Sequence, residues 1–252
     1  MKVKETLKLL KKNEHLIHII HYSCENLNDN NDNFSPRVTS IAIIHLNSYT
    51  THSFSMHLVA EEMGISSDNI QDHYNEIEKT MLIQFYEFVK NHNDALWIHW
   101  NMQNMNYGFE VFAHRYKVLT KENATTINDT HKFNLSHMIL QVYGKHCVND
   151  PKMQNLMELN GGIHRDYLKG AEEVTVFKNK EYVRLHKSTI SKVGWFANMY
   201  EYLQKGKVKT TRTDWYNKTS RFVEHPYLKL ISFLAVVYTL IDLTIKLTNS
   251  WG

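Results

Sequence analysis

Tyr22-Ser23-Cys24-Glu25 closes the first apolar run of the chain and carries, in Glu25, a side chain suited to metal chemistry. Leu16 to Tyr22 is apolar apart from His18 and His21, and it stops at the Glu25 carboxylate, with a polar segment from Asn26 to Asn33 beyond. A carboxylate at a strand end can hold a divalent cation, because such hard ions take oxygen ligands and lean on formal negative charge. Here it stands alone, since Ser23 occupies the place two residues upstream where a paired site wants a second acid. His186 is a candidate general base, useful only beside a water that it can deprotonate. His15, His18 and His21 are spaced by three. On a strand such residues face opposite sides, so they cannot share a metal.

Several elements must position these groups. Residues 1–13 read as a leading amphipathic helix. Residues 16–22 suit a central strand buried on both faces. Val38 to His45 and Thr50 to Met56 predict two more strands around the Asn47-Ser48 turn, which together form a meander. After the capping cluster Ser66-Ser67-Asp68, the residues Ile70, Tyr74, Ile77, Met81, Phe85 and Phe88 recur at helical spacing. Ala95 to Trp100 predicts a strand, Gly108 to Leu119 a helix and Thr125 to Ile127 a brief strand. Helices follow over Leu135 to Tyr143 and Pro151 to Leu159, each stopped by glycine. Glu172 to Leu185 predicts a hairpin around Asn179-Lys180, and Ser188 to Leu203 predicts the last helix of the domain. This order reads as α/β with a mixed sheet flanked by helices.

Four segments on these elements carry a family likeness: Ser23-Cys24-Glu25, Trp97 to Glu110, Asp129 to Ser136, and His186-Lys187-Ser188-Thr189-Ile190-Ser191. In this order they resemble the ribonuclease H-like fold, in its 3′–5′ exonuclease branch with the D-E-D-D-h signature, over about residues 14–204. The resemblance implies phosphodiester hydrolysis with Mg²⁺ or Mn²⁺, a nucleic acid or nucleotide as partner, Glu25 as metal ligand and His186 as base. The departures lie at the acids. Ser23 and Ser191 stand where the first and last should be, and the middle one falls on Asn104, Asn106 or Glu110.

Two-metal hydrolysis holds its ions about 4 Å apart, so one carboxylate leaves their repulsion uncompensated. The expectation is therefore a degenerate site that binds a nucleotide, nucleic acid or protein. The alternative is an active nuclease using Glu25, His186 and a displaced acid drawn from Asp129, Asp166, Glu172 and Glu173. Glu172 or Glu173 would serve if the expected hairpin folds over the sheet end. Ser23, Asn101, Asn104, Asn106, Tyr107 and Ser191 are the substrate-binding candidates, because amides and aromatic rings hydrogen-bond and stack on bases. Against this, Glu25 could cap its loop or pair with Arg115 or Arg165, while Trp97 and Phe109 fill the core.

The chain has 252 residues, enough for one medium domain with an appendage. Its net charge of +3 does not by itself imply nucleic-acid binding. Two cysteines without a CxxC pair favour a reducing compartment and argue against a disulfide framework or a cysteine zinc site. The N-terminal stretch lacks the continuous apolar core of a signal peptide. Residues 205–226 form a basic linker, within which Gln204 to Arg221 carries six Lys and Arg against Asp214, and residues 227–252 an apolar C-terminal helix. Leu230 to Ile241 carries no charge, and Lys229 and Lys246 bracket 16 residues, about 24 Å of helix. A span needs roughly 20 residues, but snorkelling lysines with Tyr227 and Trp251 at the interface can close the gap. The expectation is a membrane anchor with the folded domain facing the cytoplasm. The alternative is a cytoplasmic protein whose apolar helix drives homo-oligomerisation, with the domain as its sensor.

Overall fold

Runs of isoleucine build the sheet. β1 (Ile17–Cys24) is buried along its whole length, and β2 (Val38–His45) along all but its last residue. The computed structural model describes residues 2–25, 36–103, 107–211 and 239. β1 runs antiparallel to β2, which runs antiparallel to β3 (Thr50–Ser55). On its other side β1 runs parallel to β4 (Leu96–His99), which is parallel to β5 (Lys132–Asn134). The strand order is therefore β3-β2-β1-β4-β5, with β1 at the centre.

The pleat sends successive residues of β1 to opposite faces. Ile20, Tyr22 and Cys24 enter one core, where α3 (Tyr74–Asn91) and α4 (Phe109–Thr120) contribute Met81, Leu82, Phe85 and Phe112. Ile17 and Ile19 enter the other. There α8 (Tyr182–Gln204) lays Val193, Phe196, Met199 and Tyr200 on the sheet. α5 (Leu135–Tyr143) adds Leu135 and Ile139, and α1 (Val3–Lys12) adds Leu10. Each such side chain, taken fully out of water, stabilises the fold by about 1.5–3 kcal/mol. α2 (Met56–Glu62) and α6 (Lys152–Leu159) complete the helices outside the segment after Gly162.

Three expectations are corrected. Residues 172–185 form no hairpin: α7 (Gly170–Lys178) turns directly into α8. The Glu172 carboxylate accepts the Lys169 backbone N–H at 2.7 Å, closing the first turn of α7. His186 consequently lies one turn inside α8, not ahead of it. The strand expected at 125–127 is irregular chain, and β5 falls later, where it can pair with β4. Lastly, residues 207–211 are docked, not linker-like, because Val208 and Thr210 are buried and Thr211 donates to the Cys147 carbonyl at 2.9 Å. The rest of the expected linker and the apolar helix over 227–252 lie outside the described residues, Thr239 apart. No helix among the described residues is long and apolar enough to cross a membrane.

Candidate functional site

Antiparallel pairing sets Ser23 opposite Ser40, and α8 covers the face to which both hydroxyls point. Ser23 Oγ lies 2.9 Å from Thr189 Oγ1 and donates to Glu173 Oε1 at 3.1 Å. Ser188 Oγ and Lys192 Nζ donate to that same oxygen at 2.8 and 2.7 Å. Ser188, Thr189 and Lys192 share one side of α8, because residues three and four apart fall on the same face. All five side chains are buried. The Lys192 ammonium also sits 5.3 Å from the centre of the Tyr167 ring.

Glu25 is directed elsewhere. A register shift between Ser23 and Cys24 ends the regular pairing, and Glu25 accepts a hydrogen bond from Arg37 at 2.9 Å. Arg37 in turn lies 3.7 Å from Glu78, which is fully buried and pairs with Arg115. Glu78 also accepts the Val38 backbone N–H at 2.8 Å. The partner of Glu25 is thus Arg37, not Arg115, which Glu78 holds, nor Arg165, which pairs with Asp166. Two acids and two arginines neutralise one another beside α3.

The other candidates scatter. His186 Nδ1 is 2.6 Å from Ser40 Oγ and its ring centre is 5.2 Å from that of His57. Burial, reinforced by His57, lowers its pKa to about 4, so it is neutral near pH 7 and too weak to be poised as a general base. Ser191 does not reach the strand end. Its Oγ is buried without a partner among the described residues, and Thr189 takes the place expected for it. Asn101, at φ +55°, is tied through Asn134, which also binds Gln103. Tyr107 stacks on Tyr22 at 4.6 Å, and its hydroxyl reaches the Tyr22 carbonyl and His21 Nδ1. Burial pushes the Tyr107 phenol well above its ordinary pKa. Asn104 and Asn106 lie outside the described residues. Asp129 is exposed and pairs with Lys132, Glu110 lies 3.7 Å from the same lysine, and Glu172 caps α7. Of the expected acids, Glu173 is the one that meets Ser23.

Among the described residues no three His, Cys, Asp or Glu side chains converge to hold a metal ion. The carboxylate that meets Ser23, that of Glu173, is already answered by the Lys192 ammonium. A divalent ion about 4 Å from that ammonium would be repelled by on the order of 8 kcal/mol at an effective dielectric of about 20. Mg²⁺ and Mn²⁺ therefore do not fit this donor set. Beside the pair lies a cavity of about 220 Å³, lined by Trp100, Asn101, Tyr107, Tyr167, His21 and Lys192 among others. His21 is almost wholly buried, its Nε2 has no hydrogen-bond partner among the described residues, and burial holds it neutral. Ser188, Thr189, Lys192 and His21 were not among the sequence candidates. The signal of the first three is their place as polar residues on the apolar stripe of α8. Comparison with protein-family models, curated proteins and solved structures returns no match.

Proposed function

We propose that this chain is a ribonuclease H-like domain of the exonuclease type that does not hydrolyse phosphodiesters but binds a nucleotide or a single-stranded nucleic acid. The carrying observation is that the end of β1 carries a hydroxyl where hydrolysis needs an acid: Ser23 meets Thr189 and shares with Ser188 a Glu173 carboxylate oxygen that Lys192 neutralises. The fold assignment draws support from the strand order, an antiparallel meander joined through its first strand to a parallel pair. Binding draws support from the cavity, where the half-buried Tyr167 offers a ring and Asn101 an amide. A larger groove of about 570 Å³ along the start of α8 is lined in part by Lys180, Arg184 and Lys187 with Asp166 and Glu181 beside them, and since Arg184 pairs with Glu181, Lys180 and Lys187 supply its positive charge for a backbone. The uncharged run from Leu230 to Ile241 and the basic stretch before it support attachment to a membrane, with the domain on the cytoplasmic side.

End-labelled DNA and RNA strands incubated with the protein and Mn²⁺ test this reading. The strands stay intact while fluorescence anisotropy reports their binding. Tyr167→Ala weakens binding by about tenfold, the low end of what one stacked base contributes. Degradation that disappears in Glu173→Gln would restore the nuclease reading, and absence of binding to strands and nucleotides alike would end the binding reading. Membrane fractionation with and without residues 226–252 tests the anchor, which a freely soluble full-length chain would rule out.

A further inference from the structure

We infer that Lys192 is the resident cation of the strand-end site, a covalently held ammonium standing in place of a divalent metal. Lys192 lies in an apolar stretch of α8, next to Val193 and four residues before Phe196, and is only 5% exposed. An ammonium is kept out of water at such a place only when it is paired and hydrogen-bonded. Glu173, 7% exposed and 2.7 Å away, supplies both conditions. Among the described residues the remaining donors to that carboxylate oxygen are Ser23 and Ser188, neutral hydroxyls at 3.1 and 2.8 Å. Neutral oxygens around one carboxylate match the charge of an ammonium and fall short of what Mg²⁺ or Mn²⁺ requires. A metal ion occupies its ligands according to its concentration, whereas this cation is always present, so the site is complete without any metal. The inference stands on the Glu173–Lys192 geometry and holds whether or not the domain binds nucleic acid.

Mn²⁺ alone is the probe, counted by the electron paramagnetic resonance of the free ion, with no nucleic acid present. The native chain takes up no Mn²⁺ and melts at the same temperature in EDTA and in Mn²⁺. Ser23→Asp, which adds a carboxylate but keeps the ammonium, behaves like the native chain. Ser23→Asp combined with Lys192→Ala takes up one equivalent, and its melting temperature rises with Mn²⁺. The inference is overturned if the native chain binds an equivalent that Glu173→Gln abolishes, or if Ser23→Asp alone binds one. It is also overturned if the double variant binds none, including the case in which millimolar Mn²⁺ cannot fold it, because the metal must then be unable to replace the ammonium.

Discussion

Ser23 and Ser40 stand directly opposite each other on β1 and β2, and a single turn of α8 answers both: Thr189 lies on Ser23 and His186 on Ser40. This fixes the rotation of α8 about its own axis. With those two polar contacts in place, Val193, Phe196 and Tyr200 of the following turns are turned onto the sheet. The polar cluster therefore sets the register in which the apolar stripe packs.

Thr189→Val keeps the shape of the side chain and removes the hydroxyl that meets Ser23. The expected loss is about 0.5–1.5 kcal/mol in urea unfolding, the net worth of one hydrogen bond, because Ser23 keeps its bond to Glu173. Ser23→Ala should cost more, since it also takes a donor from Glu173, and the double variant less than the sum, because the two share one bond.

The two acids of the Arg37 network should differ sharply. Glu78→Ala strips Arg115 and the Val38 N–H of a buried acceptor, so a loss of about 3–5 kcal/mol is expected. Glu25→Ala breaks a partly exposed pair and should cost less than about 1 kcal/mol. Equal losses in denaturant titrations would contradict this account of Glu25.

Acidification should destabilise the fold before any carboxylate titrates. Burial holds both His18 and His186 down to about 4, against about 6.5 in the unfolded chain. The unfolded chain thus takes the proton first, so this stability is complete above about pH 6.5 and is lost as the pH falls toward 4. Each histidine contributes a slope of about 1.4 kcal/mol per pH unit across that window. His186→Gln should flatten the profile by roughly one histidine's share. A native profile that is level between about pH 7 and 5 would refute the assignment.

Much of the sheet was legible because its signals are local. The bounds of Val38–His45 coincide with the β-branched run expected there, and the helix over Leu135–Tyr143 ends at Gly144 as its composition indicates. Residues 172–185 misled because Val174, Thr175 and Val176 favour strands and Asn179-Lys180 suggests a turn. Helix won there because Glu173, Val176 and Phe177, three and four residues apart, could all be buried on one face. The position of Ser23 at a strand end was readable, but the companions of Ser23 were not. Glu173 and Lys192 come from separate helices, and only the packing of α7 against α8 brings them together. The partner of Glu25 was not legible for a related reason, since the register shift and the proximity of Arg37 are properties of the paired strands, not of the segment that holds the glutamate.

Among the labelled helices, the one that covers β1 and β2 is also the last to be made. On the ribosome, the two most apolar strands emerge early and wait with one face bare until residues beyond 200 have been synthesised. Closure of that face is a long-range event in the chain, which slows folding and prolongs the exposure of sticky surface. Truncations within α8 should therefore yield aggregating chains instead of smaller folded ones, and nascent chains of this protein should depend on holding chaperones until that helix clears the exit tunnel.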